Sequence, residues 1–300
     1  MRQETSSQAP NDSTPISLAG AYDYCAKLTQ SHYENFPVGS ILIPKHLRPH
    51  VHAIYAFART ADDYADEPGF TPQERLEQLQ IWEDNLLTCQ QSPVGPIFIA
   101  LAQTISTQQI PIQLLQDLLT AFRMDVQNNR HESLEALHHY CTYSANPVGR
   151  LILHLFGYRT PLAGQQSDAI CSALQLANFW QDIAIDYSRD RIYLPKQDMA
   201  NFGVTEADLK QQNTTPQFKA LLAHLIQHTE QLFHQGFPLL THVKGRLRYE
   251  LRLTWLGGMD ILKKIPQNGY DIFQNRPTVH KSDLPRFVCR ALWPFNWHKS

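Results

Sequence analysis

Two stretches of the sequence carry polar side chains three or four residues apart, and each ends in a pair of aspartates. The eight residues are Tyr55, Arg59, Asp62 and Asp66 in the first stretch and Gln175, Asn178, Asp182 and Asp186 in the second. Residues at this spacing lie on one face of an α-helix, roughly 5–6 Å from one another. Each stretch therefore predicts a polar stripe on a helix, and two such stripes could face each other across a cleft.

The aspartate pairs indicate a cation site because they occupy the unfavourable end of their helices. Both pairs fall in the last turns, where the helix dipole disfavours an anionic side chain by ~0.3–1 kcal/mol. Either pair alone has a simpler interpretation as part of a solvated helix face. Both pairs together, with matching polar neighbours, favour a bound cation, which would reverse the sign of the interaction at each helix end.

Carboxylate oxygens without histidine or cysteine partners favour a hard cation. Mg²⁺ is typically held by one or two carboxylates and shares its remaining coordination with water and substrate phosphates. We therefore expect several Mg²⁺ ions to bridge a diphosphate and to stabilise its charge as it departs. Departure from an allylic or cyclopropylcarbinyl carbon would leave a carbocation, which an apolar, aromatic cavity could shield from water.

The elements that must position these residues are helices. Apolar periodicity predicts the first motif helix over residues 45–66 and the second over residues 167–187. A capping box at Thr71 and Glu74 begins another helix, and Pro147 should bend a long one. The remaining helices are predicted over residues 18–30, 97–106, 111–128, 134–158, 216–235 and 247–265. Since no strand alternation is present, the predicted fold is all-α, a bundle with a central cavity between the two Asp-rich helices.

Length and composition favour one domain, because 300 residues can share a single core and no low-complexity linker divides the chain. We expect a disordered tail over residues 1–16, the helical domain over 17–280 and a basic, aromatic tail over 281–300. The 26 basic and 28 acidic residues give a net charge of −2, which offers no general attraction to nucleic acid. Five scattered cysteines without a Cys-x-x-Cys pair indicate reduced thiols in a cytoplasmic protein.

Two basic segments leave peripheral contact with the inner membrane surface open. Residues 286–299 mix Arg and Lys with Trp and Phe, a composition typical of bilayer interfaces, and docking of this tail on the protein body is the alternative. A second run contains Lys244, Arg246, Arg248 and Arg252. It is interpreted as a solvated helix face, with phosphate or interfacial attraction as the alternative. No apolar run approaches the ~20 residues that cross a bilayer.

The two stripes, together with Arg191-Ile192-Tyr193-Leu194-Pro195, resemble the squalene/phytoene synthase family of head-to-head prenyl transferases. The resemblance extends over about residues 32–277 and implies an isoprenoid synthase fold. It implies that the catalytic, Mg²⁺-binding and diphosphate-binding residues are Asp62, Asp66, Asp182 and Asp186. It also implies that the substrate is positioned by Tyr55, Arg59, Gln175 and Asn178.

The same resemblance adds candidate substrate contacts outside the two stripes. His32 lies in a family motif, although a capping or structural role is an equal alternative. Phe36 and Tyr140 are candidate walls of the cavity, with core packing as the competing interpretation. Arg191 and Arg276 resemble arginines that contact the diphosphate in this family.

Within the family, residues 32–38 and 144–150 resemble the bacterial hydroxysqualene synthase branch. Glu34 stands where other branches carry a phosphate-binding cation, which suits an enzyme that binds one diphosphate. The implied reaction ionises presqualene diphosphate, rearranges its cyclopropane and captures the cation with water to give hydroxysqualene. The alternatives are a squalene or phytoene synthase that couples two farnesyl or geranylgeranyl diphosphates, and a non-catalytic relative that serves in assembly or lipid binding.

The resemblance also bears on cofactors and partners. The sequence has no Gly-rich strand-to-helix fingerprint, so no NADPH is expected. The implied partners are a presqualene diphosphate synthase that supplies the substrate and a hydroxysqualene reductase that receives the product.

Overall fold

The computed structural model describes residues 16–31, 42–66 and 68–292, and these residues fold into α-helices. In these three ranges the only β-type pairing is an isolated bridge between Arg130 and Ile192. The all-α prediction is therefore confirmed. Predicted contacts His32 and Phe36, together with Glu34, lie outside the described residues, as does the chain from residue 293 onward.

The helices follow one another with short connections. In chain order they are α1 Leu18–Ser31, α2 Arg48–Asp66, α3 Pro72–Thr88, α4 Gly95–Gln108, α5 Ile112–Gln127, α6 Leu134–Ser144, α7 Asn146–Leu155, α8 Pro161–Ser188, α9 Lys196–Phe202, α10 Glu206–Lys210, α11 Pro216–Gly236, α12 Leu239–His242, α13 Gly245–Gln267 and α14 Leu284–Leu292. A short 3₁₀-helix, Lys281–Asp283, precedes α14. The motif helices of the sequence are α2 and α8.

The ends of α2 and α3 follow from local sequence. Helix α2 ends at Asp66, and Gly69 then adopts a φ of 94°, a left-handed value that lets the chain turn. The predicted capping box is confirmed: the Thr71 hydroxyl accepts from the Glu74 N–H, and the Glu74 carboxylate accepts from the Thr71 N–H at 2.7 Å. The acidic end of α2 is thereby held next to the start of α3.

Helix α8 begins earlier than the predicted residue 167. Its first residue is Pro161, and the Thr160 hydroxyl caps the helix by accepting from the Ala163 N–H at 3.3 Å. Proline suits the first position because its missing N–H has no helical partner there. The prediction missed this turn because it relied on apolar periodicity, whereas the turn is specified by its cap.

The predicted bend at Pro147 is confirmed as a complete break between α6 and α7. The break is fixed against α8, where the Ser172 hydroxyl donates to Asn146 Oδ1 at 2.9 Å. Helix α7 also approaches α8 closely, since a Cβ on Gly149 would lie 2.4 Å from Cys171 Sγ and Ser167 Oγ. Glycine at this position is therefore required for the contact between α7 and α8.

The two motif helices each lie in their own apolar core. The core around α2 contains Phe57, Trp82 and Phe98, and Trp82 stacks on Phe57 with ring centroids 5.9 Å apart. The core around α8 contains Trp180, whose indole N–H donates to the buried Thr229 hydroxyl at 2.9 Å. Helix α7 contributes to both cores. The two acidic stripes are thus carried by separately packed helices, and α7 joins the cores that hold them.

Within the three described ranges, the helices are too short or too polar to cross a bilayer.

Candidate active site

An apolar cavity of about 200 Å³ opens beside the first polar stripe. Its walls come from α2, α5 and α7 and consist of Val51, Ile54, Tyr55, Ala58, Arg59, Asp62, Leu118, Phe122, Val148, Leu151 and Ile152. The three polar members, Tyr55, Arg59 and Asp62, are predicted site residues from one helix. The cavity therefore has one charged wall, and the rest of its surface is mainly hydrocarbon.

The acidic end of α2 is partly neutralised by its own helix. Arg59 Nη1 lies 3.1 Å from Asp62 Oδ2, and Arg59 Nη2 lies 2.5 Å from Asp63 Oδ1. Burial raises the pKa of Asp62 to about 6, the negative charge of Asp66 adds to the rise, and the charge of Arg59 opposes it. Asp62 is therefore a crowded, poorly solvated carboxylate that a further cation would stabilise.

The acidic end of α8 receives its cations from residues that follow it in the chain. Arg276 Nε lies 2.5 Å from Asp182 Oδ1, and the Gln181 side-chain amide donates to the Pro277 carbonyl at 2.5 Å, which holds the arginine over the helix. Asp186 makes no side-chain hydrogen bond within the described part of the chain. Burial raises its pKa to about 7, and repulsion from Asp182 adds to this effect.

Arg191 joins the two acidic ends. Its guanidinium forms an ion pair with Asp66 of α2. Its positive charge also lowers the pKa values of Asp62 on α2 and Asp186 on α8, against the larger effect of burial. Asp62 and Asp66 of α2 and Asp186 of α8 therefore lie around one cation, as expected if the two stripes face each other.

The loop that carries Arg191 is fixed from both sides of that residue. The Ile192 N–H donates to the Asn129 carbonyl at 3.0 Å. Arg130 Nη2 lies 2.8 Å from Asp190 Oδ1, and Arg130 Nη1 donates to the Asp190 carbonyl at 2.7 Å. Since residues on both sides are anchored to the α5–α6 connection, the position of Arg191 does not depend on its own ion pair alone.

Gln175 and Asn178 continue the α8 stripe away from its aspartates. Gln175 is half-buried and Asn178 is exposed. Neither side chain makes a hydrogen bond to another described residue, and neither belongs to the described wall of the cavity beside α2. Their amide groups are therefore accessible to a ligand that lies along α8.

Asp125 on α5 is a further acidic residue of this site, and the sequence reasoning missed it. It accepts a hydrogen bond from the Tyr140 hydroxyl at 3.0 Å. Burial raises its pKa to about 7, the Tyr140 hydrogen bond and Arg191 oppose the rise, and Asp66 and Asp62 add to it. Asp125 belongs to no aspartate pair and no periodic stripe, so only the tertiary contact with Tyr140 reveals it.

An aromatic layer connects Tyr140 to the loop of Arg191. Tyr193 stacks on Phe179 of α8 with ring centroids 3.7 Å apart, and the Tyr140 ring lies 6.2 Å from Tyr193. His131 packs against both tyrosines, and burial lowers its pKa to about 4, so it is neutral at pH 7. Tyr140 is only 5% exposed and packs in the core, and it is not among the described residues that line the cavity beside α2, so its role as a cavity wall stays a prediction. Tyr193 belongs to the motif Arg191-Ile192-Tyr193-Leu194-Pro195, so the sequence offered a way to identify it.

The donor set fits Mg²⁺ that is held jointly with phosphate. In the described ranges no three His, Cys, Asp or Glu side chains are gathered closely enough to hold a metal by themselves. The two ends instead offer carboxylate oxygens in pairs, with raised pKa values for Asp62 and Asp186 that reflect burial and mutual repulsion. Mg²⁺ commonly binds one or two carboxylates and completes its coordination with substrate phosphates and water.

Comparison with known proteins identifies the class to which this fold and site belong. The chain is a member of the squalene/phytoene synthase family, whose model matches residues 29–283. The family assignment from the two stripes is thereby confirmed.

Curated relatives and solved structures agree with this assignment. A hydroxysqualene synthase of Rhodopseudomonas palustris is 38% identical over 212 residues, which cover 70% of this chain and 72% of that protein. A phytoene synthase of Arthrospira platensis is 28% identical over 91% of this chain and 93% of its own length. The crystal structure of squalene synthase HpnC from Alicyclobacillus acidocaldarius superposes with a TM-score of 0.81 at 39% identity, covering 86% of this chain and 97% of that chain.

Proposed function

We propose that this protein is a Mg²⁺-dependent hydroxysqualene synthase, which converts presqualene diphosphate and water to hydroxysqualene and diphosphate. The observation that carries the proposal is that aspartates of both helix ends, Asp62, Asp66 and Asp186, lie around Arg191 and that Asp62 also lines an apolar cavity. One end of such a site suits a metal-bound diphosphate, and the other suits a long hydrocarbon. The 38% identity to a protein named hydroxysqualene synthase supports this substrate over other prenyl diphosphates.

In this proposal the arginines bind the diphosphate. Arg59, Arg191 and Arg276 each pair with an aspartate in the structure. When the substrate binds, each guanidinium turns from its carboxylate to phosphate oxygens, for which its forked donors are well shaped. The exchange frees the carboxylates for the cation, so that ligand charge replaces the internal ion pairs.

The carboxylates Asp62, Asp66, Asp182 and Asp186 would hold Mg²⁺. The ion supplies Lewis-acid stabilisation of the negative charge that grows on the departing diphosphate. Tyr55 and Arg59 orient the reacting carbon at the charged wall of the cavity. The hydrocarbon walls keep bulk water from the cation, and the rings of Tyr55 and Phe122 stabilise positive charge through their quadrupoles.

The proposed reaction implies which reactions come before and after it and where in the cell it takes place. An enzyme that couples two C15 prenyl diphosphates must supply the substrate, and a reductase must consume the allylic alcohol. Substrate and product carry long hydrocarbon chains that partition into lipid. We therefore propose handover between enzymes in the cytoplasm, at the membrane surface.

A product assay tests the proposal. Purified protein is incubated with presqualene diphosphate and Mg²⁺ in the absence of NADPH, and the expected products are hydroxysqualene and diphosphate. Parallel reactions with farnesyl diphosphate plus NADPH, which supplies the hydride that squalene formation requires, and with geranylgeranyl diphosphate test for a coupling enzyme. Squalene or phytoene formation from these, with no hydroxysqualene from presqualene diphosphate, would overturn the assignment. Absence of turnover with all three substrates would favour a non-catalytic relative.

A further inference from the structure

Helix α14 is fixed to the protein body at both ends. Arg286 Nη2 lies 2.5 Å from the buried Asp260 Oδ1 on α13, and Arg252 Nη1 donates to the Ala291 carbonyl at 2.7 Å. Phe287 and Ala291 are 2% exposed and belong to the core around α8. Since residues 286 and 291 contact residues 260 and 252 respectively, α14 runs antiparallel to α13. One face of α14 is thus fully used in packing.

An exposed apolar stripe adjoins the buried face of α14. Leu284, Val288 and Leu292 lie four residues apart on one stripe, and they are 49%, 44% and 64% exposed. Elsewhere in the described ranges exposed apolar side chains such as Ile81 and Leu87 of α3 are not arranged four residues apart. Single exposed apolar side chains need no explanation, whereas a continuous exposed stripe indicates an interaction surface.

The charges around this stripe are unevenly distributed. The acidic residues near α14, Asp260 and Asp283, both pair with Lys264, at 2.8 Å and 2.7 Å. Because Arg252 contacts Ala291, the C-terminal end of α14 lies toward the start of α13. The side chains of Lys244 and Arg246 are exposed there. The C-terminal end of the apolar stripe therefore points toward these two cations, and the acidic residues beside its N-terminal end already have cationic partners.

The sequence that follows α14 continues the same chemistry. It reads Trp-Pro-Phe-Asn-Trp-His-Lys-Ser and lies outside the described residues. Tryptophan and phenylalanine next to basic residues are typical of segments at the boundary between lipid head groups and acyl chains.

We propose that the exposed apolar stripe of α14, together with Lys244 and Arg246, docks on the surface of an anionic lipid bilayer. Leu284, Val288 and Leu292 enter the acyl boundary, and the two cations contact lipid phosphates. The surface is inferred from α14 and α13 alone. Only its use, to exchange a hydrocarbon substrate and product with lipid, rests on the proposed function.

Flotation of the full-length protein with lipid vesicles tests this inference. We expect binding to vesicles of phosphatidylcholine with about one-third phosphatidylglycerol, weaker binding as salt is raised, and weak binding to pure phosphatidylcholine. Val288→Gln/Leu292→Gln should lower the partition coefficient about tenfold, because two half-exposed apolar side chains lose their burial in lipid. Lys244→Gln/Arg246→Gln should lower it about tenfold on the anionic vesicles only.

The matched control is Ile81→Gln/Leu87→Gln, which removes two exposed apolar side chains from α3 and should leave vesicle binding unchanged. Thermal unfolding of each variant establishes that it is folded. Turnover of detergent-solubilised substrate should be unchanged in the α14 variants, so loss of vesicle binding is distinguishable from failure of the proposed function.

Three results would overturn the inference. One is a wild-type protein that does not float with anionic vesicles. Another is equal binding by the wild type and by Val288→Gln/Leu292→Gln. The third is concentration-dependent self-association that these two substitutions abolish without any vesicle binding, which would assign the stripe to a second copy of the chain.

Discussion

The acidic ends of α2 and α8 have nearly the same residue spacing but different electrostatic surroundings. On α2, the cation nearest to Asp62 is Arg59, which lies one turn earlier on the same helix. On α8, the cation that pairs with Asp182 is Arg276, which comes from a segment almost a hundred residues later. Asp62 is thus balanced by local sequence, whereas Asp182 is balanced only after the chain has folded.

The difference shows in the second aspartate of each pair. Asp66 is exposed and has Arg191 as a direct partner. Asp186 is half-buried, has no side-chain hydrogen bond among the described residues, and has a pKa raised to about 7 by burial and by Asp182. A cation that binds between the two ends therefore gains most at α8.

The largest expected effect comes from neutralising one aspartate at either end. Asp62→Asn and Asp182→Asn should each lower kcat on the order of a thousandfold, because each removes charge that faces the leaving group. The measurement is product formation from presqualene diphosphate at saturating Mg²⁺. Asp63→Asn is the matched control: it pairs with the same Arg59 but lies off the stripe, and it should cost only a few-fold. Equal losses for Asp62→Asn and Asp63→Asn would contradict the assignment of the stripe.

Arg191 is expected to have the next largest effect because it serves both ends. Arg191→Gln should lower kcat/KM about a hundredfold by removing the cation that binds diphosphate and opposes the repulsion between the aspartates. Arg191→Lys should recover part of the loss, since it keeps the charge but not the forked donors. Steady-state kinetics check both values. The exposed neighbour Arg189, changed to Gln, is the control, and a comparable loss there would refer the effect to general surface charge.

Tyr140 tests the link between the aromatic layer and Asp125. Tyr140→Phe removes the hydroxyl that donates to Asp125 and should destabilise the fold by about 1 kcal/mol, since a buried acceptor loses its partner. We also expect kcat to fall about tenfold. Loss of this hydrogen bond changes the ionisation of Asp125, and therefore the charge around Arg191. Tyr143→Phe on the same helix is the control. Unchanged kinetics in Tyr140→Phe would limit this pair to a structural role.

The smallest expected effect is on the free energy of unfolding, which the charged Asp186 at the end of α8 lowers. The unfolded chain ionises Asp186 near pH 4, while the folded protein keeps its proton up to about pH 7. Asp186 therefore destabilises the folded protein most above pH 7, where its carboxylate is charged in both the folded and the unfolded states. In metal-free buffer, Asp186→Asn should raise the free energy of unfolding at pH 8 on the order of 1 kcal/mol. The effect is limited because solvent screens the partly exposed carboxylate.

This stability gain should fade as the pH falls through 7 and should vanish near pH 4, where Asp186 is protonated in both states. Denaturant unfolding at several pH values measures it. Asp190→Asn, at an exposed aspartate paired with Arg130, provides the comparison and should give no gain at pH 8. A gain for Asp186→Asn that is the same at pH 4 and pH 8 would exclude ionisation as its cause.

The comparison of the two ends also separates what the sequence could predict from what it could not. The stripes, the helix ends and the break at Pro147 follow from spacing, capping and a missing donor, which are local. The placement of Arg191 and Arg276 over the aspartates depends on loops anchored by Arg130 and Gln181, which local sequence does not reveal. Family resemblance suggested both arginines, but only the folded chain assigns each to its partner.

The sequence did not predict the role of Asp125 or the exposed apolar stripe of α14, for a similar reason. Asp125 stands alone on α5, and its meaning comes from Tyr140 on another helix. The sequence predicted a basic, aromatic tail over residues 281–300, but it did not predict that α14 would bury Phe287 and expose Leu284, Val288 and Leu292. The role of Asp125 depends on a contact between two helices, and the exposed stripe of α14 depends on how much of the apolar side of that helix packs on the protein body.

The central claim is that the two acidic ends act on one diphosphate. Calorimetric titration of inorganic diphosphate in the presence of Mg²⁺ tests it with Asp62→Asn, Asp182→Asn and the double variant. We predict that each single substitution weakens binding at least about tenfold and that the double variant binds little worse than either, since residues that act as a unit are not additive. Losses that multiply, or a single variant that binds as tightly as the wild type, would contradict the claim.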